Sequence, residues 1–219
     1  CPPPYLRTWT FEDDLPELCP DFEHPPHFRD WFRELPEGMR PPFAFLFMGP
    51  AGAETRLHVD IWETDAWLCN LEGRKRFVLY HPAQRKLVSD GGDAFACVRE
   101  PDLERFPGFY KATPCVCELG PGDTVYIPRK WPHYAVSLTD TLSVTVNFCS
   151  APNRRAVLER AARYADRRAA CEELLGRPLK STDNLTKFCC HGGRVQLAAA
   201  ARAMGRSVES LAALTAPEG

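Results

Sequence analysis

This sequence of 219 residues lacks any apolar run long enough to span a bilayer. It also lacks an excess of charge, because charged residues make up 26% of the chain and the formal net charge is only -2. No overall field would therefore recruit nucleic acid or an anionic membrane. A serine, histidine and acid arrangement, a glycine-rich phosphate loop and an internal repeat are also missing. These absences disfavour a membrane-bound protein, a serine hydrolase, a P-loop enzyme and a repeat protein.

Cysteine is abundant, with ten residues in the chain. Six of them lie in or beside segments that the sequence predicts to be structured: Cys69, Cys97, Cys115, Cys117, Cys149 and Cys171. Since no signal peptide is visible, we expect reduced thiols and a cytoplasmic or nuclear location rather than a disulfide framework. The chain begins at Cys1 and not at Met, so the sequence leaves open a preceding segment, including a targeting sequence.

The pattern of residues predicts three regions. Residues 1–42 are rich in proline and acid and form a lead-in, in which Phe28, Trp31, Phe32 and Leu35 have the spacing of a short amphipathic helix. Residues 43–150 form a β-rich core. Residues 151–219 are rich in alanine, arginine and leucine and predict a helical extension, with helices over 154–175 and 195–214.

Short apolar segments separated by turns fill the core region. The predicted strands cover residues 43–48, 56–62, 66–71, 75–80, 116–119, 124–127, 133–138 and 142–148. Turn sequences such as Gly49-Pro50-Ala51-Gly52 and Gly120-Pro121-Gly122-Asp123 lie between them. About eight short strands at this spacing predict a mainly β fold of the jelly-roll or barrel type.

Two histidines and an aspartate form a candidate metal site. His58-Val59-Asp60 presents two ligands on one side of a strand, because residues i and i+2 of a strand point the same way. His133 follows 73 positions after Asp60, directly after Trp131-Pro132. Two imidazoles and one carboxylate leave half of the coordination sphere open, as in non-haem Fe(II) oxygenases.

A co-substrate with a 2-oxo acid group would need a cation at its far carboxylate, and Lys75 is the candidate. Strand alternation should turn Lys75 away from the side that Arg74 and Arg76 face. The hydroxyl of Thr55 could contact the same carboxylate. Thr145 and Asn147 share one face of the last strand and could donate hydrogen bonds near the metal, although cross-strand hydrogen bonding is an equal alternative for these three residues.

Several motifs together carry a family resemblance. They are Gly49-Pro50-Ala51-Gly52, His58-Val59-Asp60, Gly73-Arg74-Lys75-Arg76, Gly120-Pro121-Gly122-Asp123, Trp131-Pro132-His133 and Val146-Asn147-Phe148. Over residues 5 to about 150 the chain resembles the JmjC family of Fe(II)- and 2-oxoglutarate-dependent oxygenases. It is most similar to the small hydroxylase branch that includes the JmjC lysyl hydroxylases. The lead-in Tyr5-Leu6-Arg7-Thr8-Trp9 fits that branch as well.

The resemblance implies a double-stranded β-helix with Fe(II), 2-oxoglutarate and O₂ as cofactor and co-substrates. His58, Asp60 and His133 would be the catalytic iron ligands, and Lys75 with Thr55 would hold the distal carboxylate of 2-oxoglutarate. Asn147 matches an asparagine near the co-substrate in relatives. Two departures stand out: Leu68 replaces an asparagine of several relatives, for which Asn70 is a candidate substitute, and Pro132 replaces an aromatic residue.

We therefore expect a dioxygenase that hydroxylates a protein side chain, lysyl or another. N-methyl demethylation and hydroxylation of an RNA base are alternatives with the same chemistry, and an arginine-rich segment over 154–168 keeps RNA open as a partner. A non-catalytic cupin-type module that binds a protein is a further alternative, against which the intact triad and Lys75 argue. The C-terminal helices are expected to form a homodimer, and no membrane partner is expected.

Overall fold

The structure is a computed structural model that describes residues 3–10, 17–18, 23–34, 41, 43–92, 94–157 and 159. The chain divides into two compact units, residues 1–154 and residues 155–219, and nearly all of the described residues belong to the first. Residues 154–157 are helical. The rest of the predicted C-terminal helices, and with them the predicted dimer surface, lie outside the described residues.

Nine strands in the described part form two antiparallel sheets. They are β1 (Leu6–Trp9), β2 (Ala44–Gly49), β3 (Glu54–His58), β4 (Asp65–Glu72), β5 (Lys75–Leu79), β6 (Cys115–Leu119), β7 (Thr124–Ile127), β8 (His133–Ser137) and β9 (Thr141–Phe148). One sheet has the order β1-β2-β9-β4-β7 and the other β3-β8-β5-β6. From β2 to β9 the chain distributes its strands between the two sheets in a jelly-roll order, which confirms the predicted mainly β, cupin-like fold.

The helices of the described part are short. Besides the helical residues 154–157, four 3₁₀ helices cover Trp31–Glu34, Ile61–Glu63, Pro82–Gln84 and Phe109–Lys111, and an α-helix, α1, covers Arg85–Val88. The predicted lead-in helix is thus a single 3₁₀ turn. The barrel holds the start of this turn: Trp31 N–H donates to the Cys149 carbonyl at 2.8 Å, and the Asp30 carboxylate accepts from Cys149 N–H at 3.0 Å.

Two expectations drawn from composition can be compared with the described residues. No helix there has both the length and the apolar character needed to cross a membrane. The five cysteines in that part are free thiols: Cys69, Cys97, Cys115, Cys117 and Cys149. Cys171 lies outside it.

Alternation along the strands separates a barrel interior from two outer faces. Apolar side chains of both sheets meet inside: Ala66, Leu68, Phe77, Leu79, Leu119, Ile127 and Ala135. On β9, Ser143, Thr145 and Asn147 face this interior, while Val144, Val146 and Phe148 face outward and pack beneath the lead-in. The outer face of the other sheet is covered by the segment between β5 and β6. The barrel interior is therefore lined by polar side chains of β9 and by apolar side chains of the other strands.

The tight turn at Glu72-Gly73 fixes the start of β5. Gly73 has a left-handed φ of 72°, and a Cβ there would lie 1.8 Å from the Asp140 carbonyl oxygen. Only glycine fits this close approach of two backbones. The Thr139 hydroxyl accepts from Arg74 N–H at 2.9 Å and fastens the same turn, so that Lys75 enters the barrel wall at a defined position.

Candidate metal centre

The structure brings His58, Asp60 and His133 together at one end of the barrel. His58 ends β3 and pairs directly with His133, the first residue of β8. Their ring centroids are 4.2 Å apart. Asp60 Oδ1 lies 3.7 Å from Nε2 of each histidine, and one ligand atom from each of the three residues falls within 4.8 Å of the others. Three side chains distant in sequence thus present a compact set of ligand atoms.

The local backbone around the first two ligands differs from the predicted strand over 56–62. β3 ends at His58, and Asp60 is an extended residue that precedes the 3₁₀ helix Ile61–Glu63. The pairing of β3 with β8 shifts between Thr55 and His58, as at a β-bulge. A bulge adds one residue to one strand, which turns both Thr55 and His58 towards the interior although three positions separate them.

Both histidines are oriented by their own backbone. His58 Nδ1 donates to the Arg56 carbonyl at 2.8 Å, and His133 Nδ1 donates to the Trp131 carbonyl at 2.9 Å. Because a carbonyl can only accept, Nδ1 of each ring carries a proton. The lone pair of Nε2 then faces Asp60, which is the tautomer and direction that a metal ligand needs.

The charges at this site fit a divalent cation. Burial, followed by the neighbouring His133, lowers the pKa of His58 to about 4, so the imidazole is neutral at pH 7. Asp60 Oδ2 is a buried oxygen without a hydrogen-bond partner among the described residues. A buried carboxylate oxygen left unpaired is unfavourable unless a ligand compensates it. Two imidazole nitrogens and one carboxylate are the donor set that suits Fe(II).

Lys75 lies on the interior side of β5 and is almost fully buried, with 1% of its surface exposed. Its ammonium donates to Ser143 Oγ at 3.0 Å and to the Tyr5 hydroxyl at 3.3 Å, and it lies 5.6 Å from the ring centroid of Phe47. Among the residues that the structure describes, no carboxylate pairs with it. Burial lowers the pKa of Lys75 to about 8. The group is a buried cation with neutral partners.

The neighbours of Lys75 on the strand face outward, as the alternation predicted. Arg76 is exposed and donates to Glu118 Oε1 at 2.6 Å, and Arg74 bonds to the same carboxylate. The three consecutive basic residues therefore divide into one interior cation and two surface ion pairs. Of these three, Lys75 is the one available to an anion inside the barrel.

Tyr5 is a site residue to which the sequence assigned no role. Its hydroxyl accepts from Lys75 and is hydrogen-bonded to Thr55, and its ring lies 5.7 Å from the ammonium. Burial raises the pKa of Tyr5. Lys75, Thr55 and Tyr5 thus form one polar cluster, which we call the lysine cluster. Tyr5 reaches it because β1 pairs with β2, a contact that no local pattern predicts.

Thr145 and Asn147 face the interior, and each already has a partner. The Thr145 hydroxyl donates to the Trp67 carbonyl at 2.7 Å, and the Asn147 amide donates to Thr64 Oγ1 at 3.0 Å. These are cross-strand hydrogen bonds of the kind that the sequence left as the alternative. A contact between either residue and a co-substrate stays a prediction.

Asn70 is fully buried and supports Lys75 from behind. Ser143 Oγ accepts from Lys75 and donates to Asn70 Oδ1 at 2.9 Å, while the Asn70 amide donates to the Gly73 carbonyl at 2.7 Å. Leu68, two residues earlier on the same face of β4, belongs to the apolar interior. Asn70, which the sequence offered as the substitute for an asparagine at the position of Leu68, therefore faces the barrel interior beside the lysine cluster.

Comparison with known proteins places the chain in a family. Residues 2–153 match the family described as a cupin-like domain. This match spans most of the chain and the whole of the barrel. The chain therefore belongs to the family of cupin-like domains, and its resemblance to the JmjC oxygenases is confirmed by the relatives it matches.

Three relatives illustrate the similarity. The chain is 34% identical over 163 residues to Lysine-specific demethylase JMJ21 of Arabidopsis thaliana, covering 69% of this chain and 17% of the relative. It is 33% identical over 149 residues to Bifunctional arginine demethylase and lysyl-hydroxylase psr-1 of Caenorhabditis elegans, covering 63% and 37%. It is 30% identical over 156 residues to 2-oxoglutarate and iron-dependent oxygenase JMJD4 of Gallus gallus, covering 68% and 36%.

The matched segment is only part of each relative. The chain spans between 17% and 40% of the length of the first five curated relatives. Residues 2–153 of this chain, which match the cupin-like domain, include the candidate metal ligands and the lysine cluster.

Proposed function

We propose that this chain is the catalytic domain of an Fe(II)- and 2-oxoglutarate-dependent oxygenase that hydroxylates a protein side chain. The observation that carries the proposal is the convergence of two imidazole Nε2 atoms on Asp60, one of whose oxygens is buried without a partner among the described residues. The names of relatives support it, since they include a 2-oxoglutarate and iron-dependent oxygenase and a lysyl-hydroxylase.

His58, Asp60 and His133 would hold the metal. Bound there, Fe(II) supplies the redox chemistry that couples the reduction of O₂ and the decarboxylation of 2-oxoglutarate to the oxidation of a C–H bond. The protein contributes orientation: the carbonyls of Arg56 and Trp131 fix the two rings, so neither imidazole must reorient on binding.

The lysine cluster would bind the distal carboxylate of 2-oxoglutarate. Lys75 supplies the charge, and the hydroxyls of Tyr5 and Thr55 supply neutral donors beside it. Lys75 pairs with Ser137 on β8, and His133 lies four residues earlier on that strand. Four strand residues span about 13 Å, so the lysine side chain and a small dicarboxylic acid can together reach from one end of the site to the other.

The substrate is proposed from the relatives. Their printed names describe arginine demethylases, a lysine-specific demethylase and a lysyl-hydroxylase, so they name arginine and lysine, the two basic residues. Hydroxylation of a protein side chain is our first candidate. N-methyl demethylation is the second, favoured by the demethylase names. RNA as a substrate and a homodimer through the C-terminal helices remain predictions from the sequence.

Turnover of 2-oxoglutarate to succinate tests the proposal. The purified protein with Fe(II) and ascorbate should form succinate, and basic peptides should increase the rate. His58→Ala should abolish succinate formation, whereas His81→Ala should preserve it, since His81 accepts from Ala83 N–H at the start of a 3₁₀ helix and is not part of the triad. Mass spectrometry of unmethylated and methylated peptides then separates the two candidates, because hydroxylation adds 16 Da to a peptide, whereas demethylation removes 14 Da and releases the carbon as formaldehyde.

The same assay can exclude catalysis. If the protein neither binds a divalent metal nor forms succinate with any peptide, the cupin-type binding module becomes the better description. If it binds metal and forms succinate but modifies no peptide, the reaction class stands and the substrate class is wrong.

A further inference from the structure

Two loops next to the candidate metal ligands have unusual backbone conformations. The first, residues 60–64, begins with Asp60, and the second, residues 128–132, ends just before His133; we call them the ligand loops. Within the described part of the chain, the non-glycine residues with positive φ are Trp62 (55°), Glu63 (59°) and Lys130 (64°). All three lie in the ligand loops. Residues with side chains keep such conformations only where other contacts determine them.

Glu63 joins the two loops directly. Its carboxylate lies 3.3 Å from Lys130 Nζ and 3.4 Å from Arg129 Nη1, and 20% of its side chain is exposed. Two of the three left-handed residues are therefore paired with each other through an ion pair. Since the first loop begins at Asp60, this contact links the carboxylate ligand to the segment that leads into His133.

Asp65 anchors the second loop from the barrel. It is buried, with 4% of its surface exposed, and its Oδ1 accepts from the backbone N–H of Arg129 at 2.8 Å. Its Oδ2 accepts from Ser150 Oγ at 2.8 Å and from the Asn153 amide at 3.2 Å. No cationic side chain pairs with Asp65 among the described residues. A buried carboxylate bound by directional donors fixes the groups that bind it.

We propose that Asp65 is a positioning residue for the metal centre. It holds the backbone of Arg129 so that His133 enters β8 facing Asp60, and Glu63 links the two ligand loops through its ion pairs with Arg129 and Lys130. The inference rests on the proposed metal-binding function. It assigns a role towards the metal to two carboxylates that would not themselves be ligands.

A purely structural carboxylate would behave differently from a positioning residue. Removing a purely structural group lowers the stability of the fold, but the folded protein then binds metal as before. Removing a positioning residue displaces a ligand, so the affinity and the coordination geometry both change. Cobalt(II) is the suitable probe, because its visible absorption reports coordination geometry independently of turnover.

Asp65→Asn is the test variant. The substituted side chain can still accept from Arg129 N–H, but its amide would face the donors of Asn153 and Ser150. We expect the affinity for cobalt(II) to fall by about 10- to 100-fold, the range found when partners of metal ligands are removed, and the visible spectrum to change. Asp140→Asn is the matched control, because Asp140 also accepts a backbone N–H, from Ala51 at 3.1 Å, but on the turn between β8 and β9, away from both ligand loops. It should bind cobalt(II) like the wild type.

Two further variants make the result decisive. Adding Asn153→Asp to Asp65→Asn exchanges donor and acceptor and should recover part of the cobalt(II) affinity. Glu63→Gln, at a partly exposed position, should weaken cobalt(II) binding by at least about threefold, and it answers the question even if Asp65→Asn does not fold. The inference is overturned if the folded variants bind cobalt(II) with wild-type affinity and spectrum. Wild-type protein that binds no cobalt(II) would instead overturn the proposed function.

Discussion

Replacing Lys75 with methionine should make the metal-free protein more stable while removing its affinity for 2-oxoglutarate. Burial lowers the pKa of this ammonium from 10.5 to about 8. Each unit of pKa corresponds to about 1.4 kcal/mol, so keeping the charge buried costs the folded state about 3 kcal/mol at pH 7. Methionine has a similar length and is apolar, and Ser143 keeps its hydrogen bond to Asn70.

The net gain is smaller than this cost because some contacts are lost. The lysine donates to Ser143 and Tyr5, and losing these two hydrogen bonds costs about 1–2 kcal/mol in total, whereas the methionine thioether keeps favourable contacts with the rings of Tyr5 and Phe47. We therefore expect Lys75→Met to raise the free energy of unfolding by about 1–2 kcal/mol at pH 7. Urea denaturation of the metal-free protein without 2-oxoglutarate measures it.

The stability difference between Lys75→Met and the wild type should depend on pH, which checks its electrostatic origin. Below pH 8, Lys75 is charged in both the folded and the unfolded state, so the folded state bears the full cost. As pH rises from about 8 to 10.5, the folded state loses its proton first, and the cost disappears. The advantage of Lys75→Met should therefore shrink across this window.

Binding of 2-oxoglutarate should change in the opposite direction. Removing one partner of a buried charge pair costs about 3–5 kcal/mol. Lys75→Met should therefore weaken 2-oxoglutarate binding by about 100-fold or more. Calorimetry with cobalt(II) present measures this affinity. Arg76→Met is the control, because Arg76 pairs with Glu118 on the surface, and exposed ion pairs contribute at most about 1 kcal/mol. A variant Lys75→Met that is less stable than the wild type at pH 7 would refute the view of an uncompensated buried cation.

Three other predictions concern the same end of the barrel. The affinity of the wild type for 2-oxoglutarate should be constant below pH 8 and should fall up to tenfold per pH unit above it, because free Lys75 loses its proton there; a constant affinity up to pH 10 in calorimetry would contradict this. Tyr5→Phe should weaken 2-oxoglutarate binding by about 1 kcal/mol, roughly fivefold, with cobalt(II) affinity unchanged; an equal loss of both affinities would show that Tyr5 acts on the fold. Gly73→Ala should lower the melting temperature far more than Gly52→Ala, because both glycines have positive φ but only Gly73 would bring its Cβ against backbone, at Asp140; equal effects of the two in thermal melts would count against a steric cause.

Where the strands are regular, the sequence was sufficient to predict which side chains face the barrel interior. Alternation along β5 separated Lys75 from Arg74 and Arg76, because each step along a strand reverses the direction of the side chain. The same rule placed Thr145 and Asn147 on one face of β9. The short strands and their turns were sufficient to predict the jelly-roll architecture, since each strand is bounded by glycine or proline turns or by a short connection.

Where the backbone departs from regular strand geometry, the local sequence pattern did not predict which way the side chains point. Thr55 and His58 share the interior only because of the irregular pairing of β3 with β8, and a regular strand would place them on opposite faces. Asp60 was predicted on the strand and lies beyond its end. A bulge depends on which strand lies alongside, and that partner begins 75 positions after His58.

Contacts between distant segments were also beyond the sequence. Tyr5 meets Lys75 because β1 lies along β2, and Asn70 meets Ser143 because β4 lies along β9. Likewise, Asp65 and Arg129 are 64 positions apart. The neighbouring residues in the sequence give no signal for these contacts, which follow only from the pairing and register of the strands.

The two-sided character of β9 has a consequence for how this domain can be divided. Its outward residues Val144, Val146 and Phe148 are covered from the amino-terminal side, where Phe28 lies 5.5 Å from Phe148 between ring centroids. A fragment starting at Phe43, where the β-rich region begins, would expose this apolar stripe to water and lose the phenol that Tyr5 contributes. Such a fragment should self-associate and fail to bind the co-substrate. The barrel therefore needs the segment before Phe43, which supplies Phe28 and Tyr5, both to fold and to function.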